Sequence, residues 1–235
     1  MLAVAATLRA ATPLPSPPAR WVDDEAGVLS PGAASEIDRK LEAFEKEQGT
    51  QILVAIFRRL PADEVLEDWT QRVAQSWRVG RAKQDDGAVL FAFVDDRQLR
   101  IEVGYGLEGA LTDLESKAIL DEVLIPHLRA GDWDGGIAAA AEAIIAAVRG
   151  EYQPSTAARS SPNSPSGGGN IVFLIFLALL VLTLLRRAGR GGGFRSGGWG
   201  GGGFGGGGFS GGGFSGGGFS GGGGSFGGGG ASGRW

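Results

Sequence analysis

Four acidic residues within one short stretch, residues 85–113 (DDGAVLFAFVDDRQLRIEVGYGLEGALTD), are the side chains best suited to chemistry. Asp85 and Asp86 precede an apolar run, Glu108 lies in a Gly-rich turn, and Asp113 lies in the first turn of a predicted helix. Depending on strand direction, they could converge at one rim of a sheet and bind a hard divalent cation, Ca²⁺ or Mg²⁺. That cation could polarise a phosphoryl oxygen or activate water. The alternative is that Asp113 only stabilises the helix dipole and the others are solvated turn residues.

Other residue types that commonly carry catalysis are scarce. The chain has no cysteine, which excludes disulfides, zinc–thiolate sites and cysteine nucleophiles. A histidine-based triad would need His127, whose place late in a helical stretch is typical of a surface position. The GYGLEG run at residues 104–109 lacks the Lys-Ser/Thr pair of a P-loop. It matches G-x-G-x-x-G literally, but Glu108 would place a carboxylate beside a pyrophosphate, so we expect no nucleotide cofactor.

The charge is distributed unevenly along the chain. The net charge is −4, yet the residues after Leu185 carry five arginines and no acid, which leaves −9 on the rest. An acidic domain repels nucleic acid, so we expect no nucleic-acid partner.

The pattern of apolar residues over 21–150 predicts a single domain in which strands alternate with helices. The predicted order is helix, strand, helix, strand, strand, helix, helix, with a short leading strand near Trp21. Asp63 is the predicted cap of the second helix, and Pro126 is expected to bend or end the third. Strands separated by helices imply a crossover-built sheet with helices on its faces. We therefore predict an α/β fold, an α/β/α sandwich whose mixed sheet contains one hairpin.

The segments outside this domain have different compositions. Residues 1–20 read as a truncated leader or a disordered segment, and residues 151–170 as a Pro/Ser/Gly linker. Residues 171–185 are uncharged and apolar, and we predict that they form one transmembrane helix, although at roughly 22 Å it is shorter than the bilayer core. Residues 186–235, basic and rich in Gly and Phe, are predicted to be disordered because glycine offers little burial to offset its ordering entropy.

The arginines around the predicted span indicate its orientation. Arg186, Arg187 and Arg190 follow it directly, whereas the preceding side has only the more distant Arg159. The positive-inside rule then predicts a single-pass protein of the cell membrane with its Gly-rich tail in the cytoplasm and the 21–150 domain outside.

Four motifs in this chain resemble the TPM-domain (YgcG-like) family of membrane-anchored proteins. They are VDDEAGVLS at 22–30, WRVG at 77–80, the whole of 85–113, and IPHLRAGDWDGGI at 125–137. The resemblance spans residues 21–150 and implies an α/β sandwich outside the cytoplasm.

The resemblance also implies two kinds of function. Some relatives, including a chloroplast thylakoid member linked to photosystem II repair, are credited with acid phosphatase activity and divalent-metal binding, while others act as accessory proteins of membrane complexes. Carried over, the acidic motif positions are Asp24, Asp86, Glu108 and Asp113.

Two functional hypotheses follow. In the first, these four residues form a metal site and Asp86 and Asp113 take part in metal-dependent hydrolysis of a phosphomonoester. In the second, the domain is a non-enzymatic accessory module that binds another membrane or envelope protein.

Overall fold

The computed structural model describes residues 13–153 and 219–235. The predicted span at 171–185 lies outside these residues, as do residues 1–12, most of the predicted linker and most of the tail. Within 13–153 and 219–235, no helix has both the length and the apolar content that a bilayer crossing needs.

Five strands form one mixed sheet in the order β1-β2-β3-β4-β5. Their bounds are β1 Val22–Asp24, β2 Gln51–Phe57, β3 Gly87–Phe93, β4 Gln98–Gly104 and β5 Phe226–Arg234. The first three strands are parallel, β4 returns antiparallel to β3, and β5 is antiparallel to β4. The predicted α/β domain, its mixed sheet and its β3–β4 hairpin are confirmed.

In the part of the chain that the structure describes, five α-helices accompany the sheet. They are α1 Pro31–Gln48, α2 Leu66–Trp77, α3 Asp113–Ala118, α4 Ile125–Arg129 and α5 Trp133–Val148. A 3₁₀ turn, Tyr105–Leu107, follows β4, and a π-helical segment, Ile119–Leu124, joins α3 to α4.

Local sequence signals account for several of these boundaries. Ser30 caps α1, since its hydroxyl oxygen accepts a hydrogen bond from the Ala33 N–H at 3.2 Å. Thr112 and Glu115 form the predicted capping box at the start of α3. Every residue of β2 and of β3 is buried, as expected for apolar strands at the centre of a partly parallel sheet.

One face of the sheet is covered by α2. Trp69 and Trp77 lie against Phe57 and Phe91, with ring centroids 5.5 to 6.5 Å apart. Both tryptophans are almost fully buried, so the prediction that this apolar stripe packs in the core is confirmed. The helix begins at Leu66 after Val65, with no side-chain cap, so the prediction that Asp63 caps it is wrong.

The opposite face is covered by α1, α5 and the α3–α4 region. Gly233 of β5, which pairs with Leu99, lies beside Leu120 and Ile125 of that region. The chain remains helical through Pro126 to Arg129, because the π-helical segment before the proline widens the turn there. Helices therefore lie on both faces of the sheet.

The last strand differs from the sequence-based expectation. The sequence predicts disorder for residues 186–235, and this prediction is wrong for Phe226–Arg234, which pairs along the whole of β4. Composition misleads here because a glycine strand is held by its main-chain hydrogen bonds, which do not depend on side-chain burial. The flanking aromatic residues Phe219, Phe226 and Trp235 supply the apolar contacts that glycine lacks.

Candidate functional site

Asp24, the first predicted metal ligand, organises its own turn. One carboxylate oxygen accepts a hydrogen bond from the Gly27 N–H and the other from the Leu29 N–H, both at 2.8 Å. The structure places this residue at the end of β1.

Asp86 is nearly buried and is paired with Arg81. Oδ1 accepts from the Arg81 backbone N–H at 2.8 Å, and Oδ2 accepts from the Arg81 Nε at 2.8 Å and also contacts Nη2. Both guanidinium donors bond the same carboxylate oxygen, so the guanidinium neutralises the carboxylate and fixes the loop before β3. Both oxygens of this predicted ligand and catalytic residue are thus already hydrogen-bonded within the domain.

Glu108 and Asp113 are the two predicted ligands that the structure brings together. Both line a surface cleft of about 390 Å³, with Thr112, Leu114 and Gly229. Within residues 13–153 and 219–235, no group of three or more His, Asp or Glu side chains is arranged to hold a metal ion. The four-residue ligand set stays a prediction, and the cleft contains only two of its carboxylates.

Two of the acidic residues bind the C-terminal segment. Asp113 Oδ1 accepts a hydrogen bond from the Gly230 N–H at 2.7 Å. Asp85 Oδ1 accepts one from the Ser225 N–H at 2.8 Å. In this structure these two carboxylates bind main-chain N–H groups of residues 219–235, a role that the sequence alone does not predict.

A buried ion pair lies under the same segment. Glu102 is fully buried, and its Oε1 accepts from Arg100 Nε at 2.8 Å and from Thr70 Oγ1 at 2.7 Å. Arg100 also donates to the Gly228 carbonyl oxygen at 2.9 Å and contacts Ser232 Oγ at 3.4 Å. The guanidinium thus joins β4 to β5 through its side chain as well as through the sheet.

The environment of Glu102 changes its acidity. Burial raises the pKa of the Glu102 carboxyl, and the hydrogen bonds from Arg100 and Thr70 oppose this effect only in part. Its Oε2 is buried and has no hydrogen-bond partner among residues 13–153 and 219–235. The sequence signal for this ion pair is the alternation of apolar and charged residues in LRIEV at 99–103, which places Arg100 and Glu102 on the same face of the strand. When a helix such as α2 covers that face, the two charges are buried together as a pair.

Aromatic residues hold both ends of the C-terminal segment. Phe219 packs edge-on against Trp21 at 6.3 Å between ring centroids, and Trp235 packs edge-on against Trp133 at 5.5 Å. Between them Phe226 is 2% exposed.

The amides of α2 bind the main chain beside Phe226. Gln71 and Gln75 donate to its carbonyl oxygen at 3.2 and 2.9 Å. These contacts fix the register of β5 where its pairing with β4 becomes irregular, between Val103 and Gly104.

His127 lies apart from this surface. Its Nδ1 is 2.7 Å from Asp132 Oδ2, and both side chains are more than 40% exposed. The pKa of the Asp132 carboxyl is lowered, chiefly by that contact with His127. The pair closes the turn between α4 and α5.

A sequence model described as the TPM domain matches residues 22–147, more than half of the chain. The chain belongs to the TPM-domain family. The resemblance seen in the sequence is therefore confirmed. No protein of curated function matches the chain.

Solved structures of similar bacterial domains extend the comparison. The N-terminal domain of a protein from P. gingivalis is 33% identical, covers 56% of this chain and 83% of its own, and has a TM-score of 0.52. The N-terminal domain of cg2496 from Corynebacterium glutamicum is 22% identical, covers 63% and 84%, and has a TM-score of 0.44. The BA42 protein of Bizionia argentinensis is 15% identical, covers 55% and 87%, and has a TM-score of 0.46.

The family match and the C-terminal segment cover different parts of the chain. The matched residues end at 147, whereas β5 begins at Phe226. In this TPM domain the edge of β4 that does not pair with β3 is thus covered by a strand from outside the matched region.

Proposed function

We propose that this TPM domain is an interaction module that binds an extended glycine-rich strand along the edge of β4. The observation that carries the proposal is the antiparallel pairing of β4 with Phe226–Arg234, from Gln98 opposite Arg234 to Gly104 opposite Phe226. We further propose that the domain lies outside the cytoplasm, that residues 171–185 hold it at the membrane, and that residues 219–235 lie on the same side of the membrane as the domain with which they pair.

Main-chain pairing at a sheet edge is a known mode of peptide recognition. An added strand gains affinity from backbone hydrogen bonds, and pockets for its side chains supply specificity. Here β4 supplies the main-chain hydrogen bonds, and Arg100 donates a charge-assisted hydrogen bond to the carbonyl oxygen of Gly228. The buried side chain of Phe226 is the apolar anchor.

A cleavage experiment on the full chain tests this function. A protease site placed within residues 186–200 is cut after purification in detergent, which leaves residues 219–235 attached only by their contacts with the domain. We expect the C-terminal fragment to co-elute with the domain in gel filtration, and excess synthetic peptide of residues 219–235 to displace it. Immediate separation of the fragment would contradict the proposal.

A divalent-cation site at Glu108 and Asp113 is the second candidate function. It is favoured by the location of both carboxylates in one cleft, since carboxylate oxygens are the ligands that Ca²⁺ and Mg²⁺ prefer. The family model carries the word phosphatase in its name, and a cation held there could bind a phosphate while Asp113 orients water.

Calorimetric titration of the full chain with Ca²⁺ or Mg²⁺ tests the second function. The double variant Glu108→Gln, Asp113→Asn should abolish the binding heat, while Asp121→Asn, which alters an exposed pair with Lys117, should preserve it. Asp86→Asn is unsuited to this test, because it also breaks the pairing with Arg81. Equal binding heats for the wild type and the double variant would remove the cleft from consideration.

A further inference from the structure

We propose that the β4 edge is a sequence-selective site that recognises glycine by excluding a Cβ at fixed positions. Its ligand is a C-terminal strand that carries glycine at those positions and aromatic residues at both ends, as residues 219–235 do. This inference rests on the interaction function proposed above and names the chemistry of the partner.

Four glycines of the segment approach the backbone of the domain closely, and for one of them, Gly222, a Cβ would lie 2.6 Å from the carbonyl oxygen of Gly80. A Cβ on Gly230 would overlap the carbonyl oxygen of Ile101, and Cβ atoms on Gly224 and Gly221 would overlap the carbonyl oxygens of Val79 and Trp77. Backbone atoms inside a sheet and at a helix end cannot turn away as a flexible side chain can. A side chain at any of these positions would therefore displace the strand.

Gly230 carries a second restriction. Its φ is 120°, a conformation that L-residues rarely adopt, and its N–H donates to Asp113. Substitution at Gly230 therefore opposes binding through the backbone conformation and through the overlap at once.

The neighbouring glycine, Gly229, lies beside a side chain and not beside the backbone of the domain. A Cβ on Gly229 would lie 3.0 Å from Oε1 of Glu108, the end of an exposed and flexible side chain, and its φ is not positive. The same segment thus contains a glycine that the site requires and, next to it, one that it tolerates.

The sequence of the segment changes where it becomes a strand. Upstream, Phe204, Phe209, Phe214 and Phe219 recur every five residues in GGGFS units, and this spacing ends after Phe219. The final residues FGGGGASGRW include Ala231, which is buried opposite Ile101, and Ser232, whose hydroxyl donates to Glu67 at 2.6 Å. A glycine tether would need no such change.

Peptide binding in trans tests the selectivity. The acceptor is the full chain carrying Gly230→Val, which disables its own strand, and the probe is a fluorescent peptide of residues 219–235 followed by polarisation. We expect the wild-type peptide to bind and the Gly229→Ala peptide to bind within about twofold of it. The Gly230→Ala peptide should bind at least about tenfold more weakly, because it adds backbone strain to the overlap.

The outcomes separate the two proposals. Equal binding of both variant peptides would overturn glycine recognition and leave the edge-binding function intact. No binding of the wild-type peptide to a folded acceptor, judged by circular dichroism, would overturn both. If the acceptor does not fold, the chain cleaved within 186–200 replaces it, and displacement of its own fragment by the three peptides gives the same comparison.

Discussion

At the scale of single residues, Glu102 is a carboxyl group without access to water. Only Arg100 and Thr70 donate to it within the described residues, and both bond the same oxygen. An acid in this setting binds its proton more tightly in the folded chain than in the unfolded chain, where its pKa is near 4.5. Its protonation is therefore coupled to folding.

The sign of this coupling gives a pH prediction. Because the folded pKa of Glu102 is raised, its contribution to stability is complete below pH 4.5 and is lost as pH rises through the folded pKa. Glu102→Gln should remove this loss, so the free energy of unfolding should fall less steeply with pH in that window. Urea unfolding at a series of pH values measures the slope.

The control for this prediction is Glu36→Gln, an exposed acid on α1. Asp23 and Glu25, whose pKa values are also raised by burial, contribute the same sign in all variants, so only the difference between slopes is informative. A Glu102→Gln slope equal to that of the wild type would contradict the prediction.

Asp86 gives a prediction about stability. Asp86→Asn replaces a nearly buried carboxylate that accepts from Arg81, so we expect it to lower the free energy of unfolding by about 1–3 kcal/mol. Asp121→Asn, at an exposed helical pair, should change it by less than about 0.5 kcal/mol. Thermal unfolding of the two variants measures the difference, and equal stabilities would show that the Arg81 pairing is dispensable.

At the scale of elements, the proposed cation site and the C-terminal strand share Asp113. The carboxylate that would bind the cation accepts the Gly230 N–H, so each ligand should weaken the other by the same factor. In the cleaved chain we expect Ca²⁺ to promote displacement of the C-terminal fragment.

The variant Asp113→Asn isolates this effect. An asparagine keeps an oxygen that accepts from Gly230 but loses the charge that attracts a cation, so fragment retention should persist and become insensitive to Ca²⁺. Fragment retention is measured by gel filtration with and without Ca²⁺. Calorimetric Ca²⁺ binding to the wild type without any change in retention would refute the competition.

The elements that the sequence predicted well are those set by local signals. The strand predicted at residues 51–57 (QILVAIF) has the same bounds as β2 in the structure. Ser30 and Thr112 cap their helices as expected. By contrast, β5 has no side-chain periodicity that would predict a strand. Its run of four glycines is irregular at Gly227 and Gly228, and Gly229 and Gly230 pair with Val103 and Glu102 because β4 offers an unpaired edge. Non-local pairing of that kind leaves no signature in a short window of sequence.

The site was harder to predict than the fold for a related reason. Asp86 and Asp113 are identical in type, but one is neutralised by Arg81 and the other receives the Gly230 N–H. Which partner a carboxylate meets depends on the path of the chain around it, and that path includes a strand more than one hundred residues away.

At the scale of the whole molecule, the pairing of β4 with β5 constrains the arrangement of the chain at a membrane. Residues 226–234 pair with the domain only if both lie in the same compartment. A single crossing by residues 171–185, with the tail in the cytoplasm and the domain outside, would separate them. The strand pairing and that predicted orientation cannot both hold within one chain.

Because the chain has no cysteine, single cysteines can test its arrangement directly. Ser35→Cys lies on an exposed position of α1, and Ser220→Cys lies on an exposed position of the C-terminal segment. With a membrane-impermeant maleimide applied to intact cells, we expect both cysteines to react from the same side, since the hydrogen bonds of Ser225, Gly228 and Gly230 hold the segment on the domain. Lysed cells give full labelling of each variant as the reference. Labelling of Ser35→Cys alone in intact cells would favour the single crossing, and would mean that the edge of β4 is free for a strand from another protein.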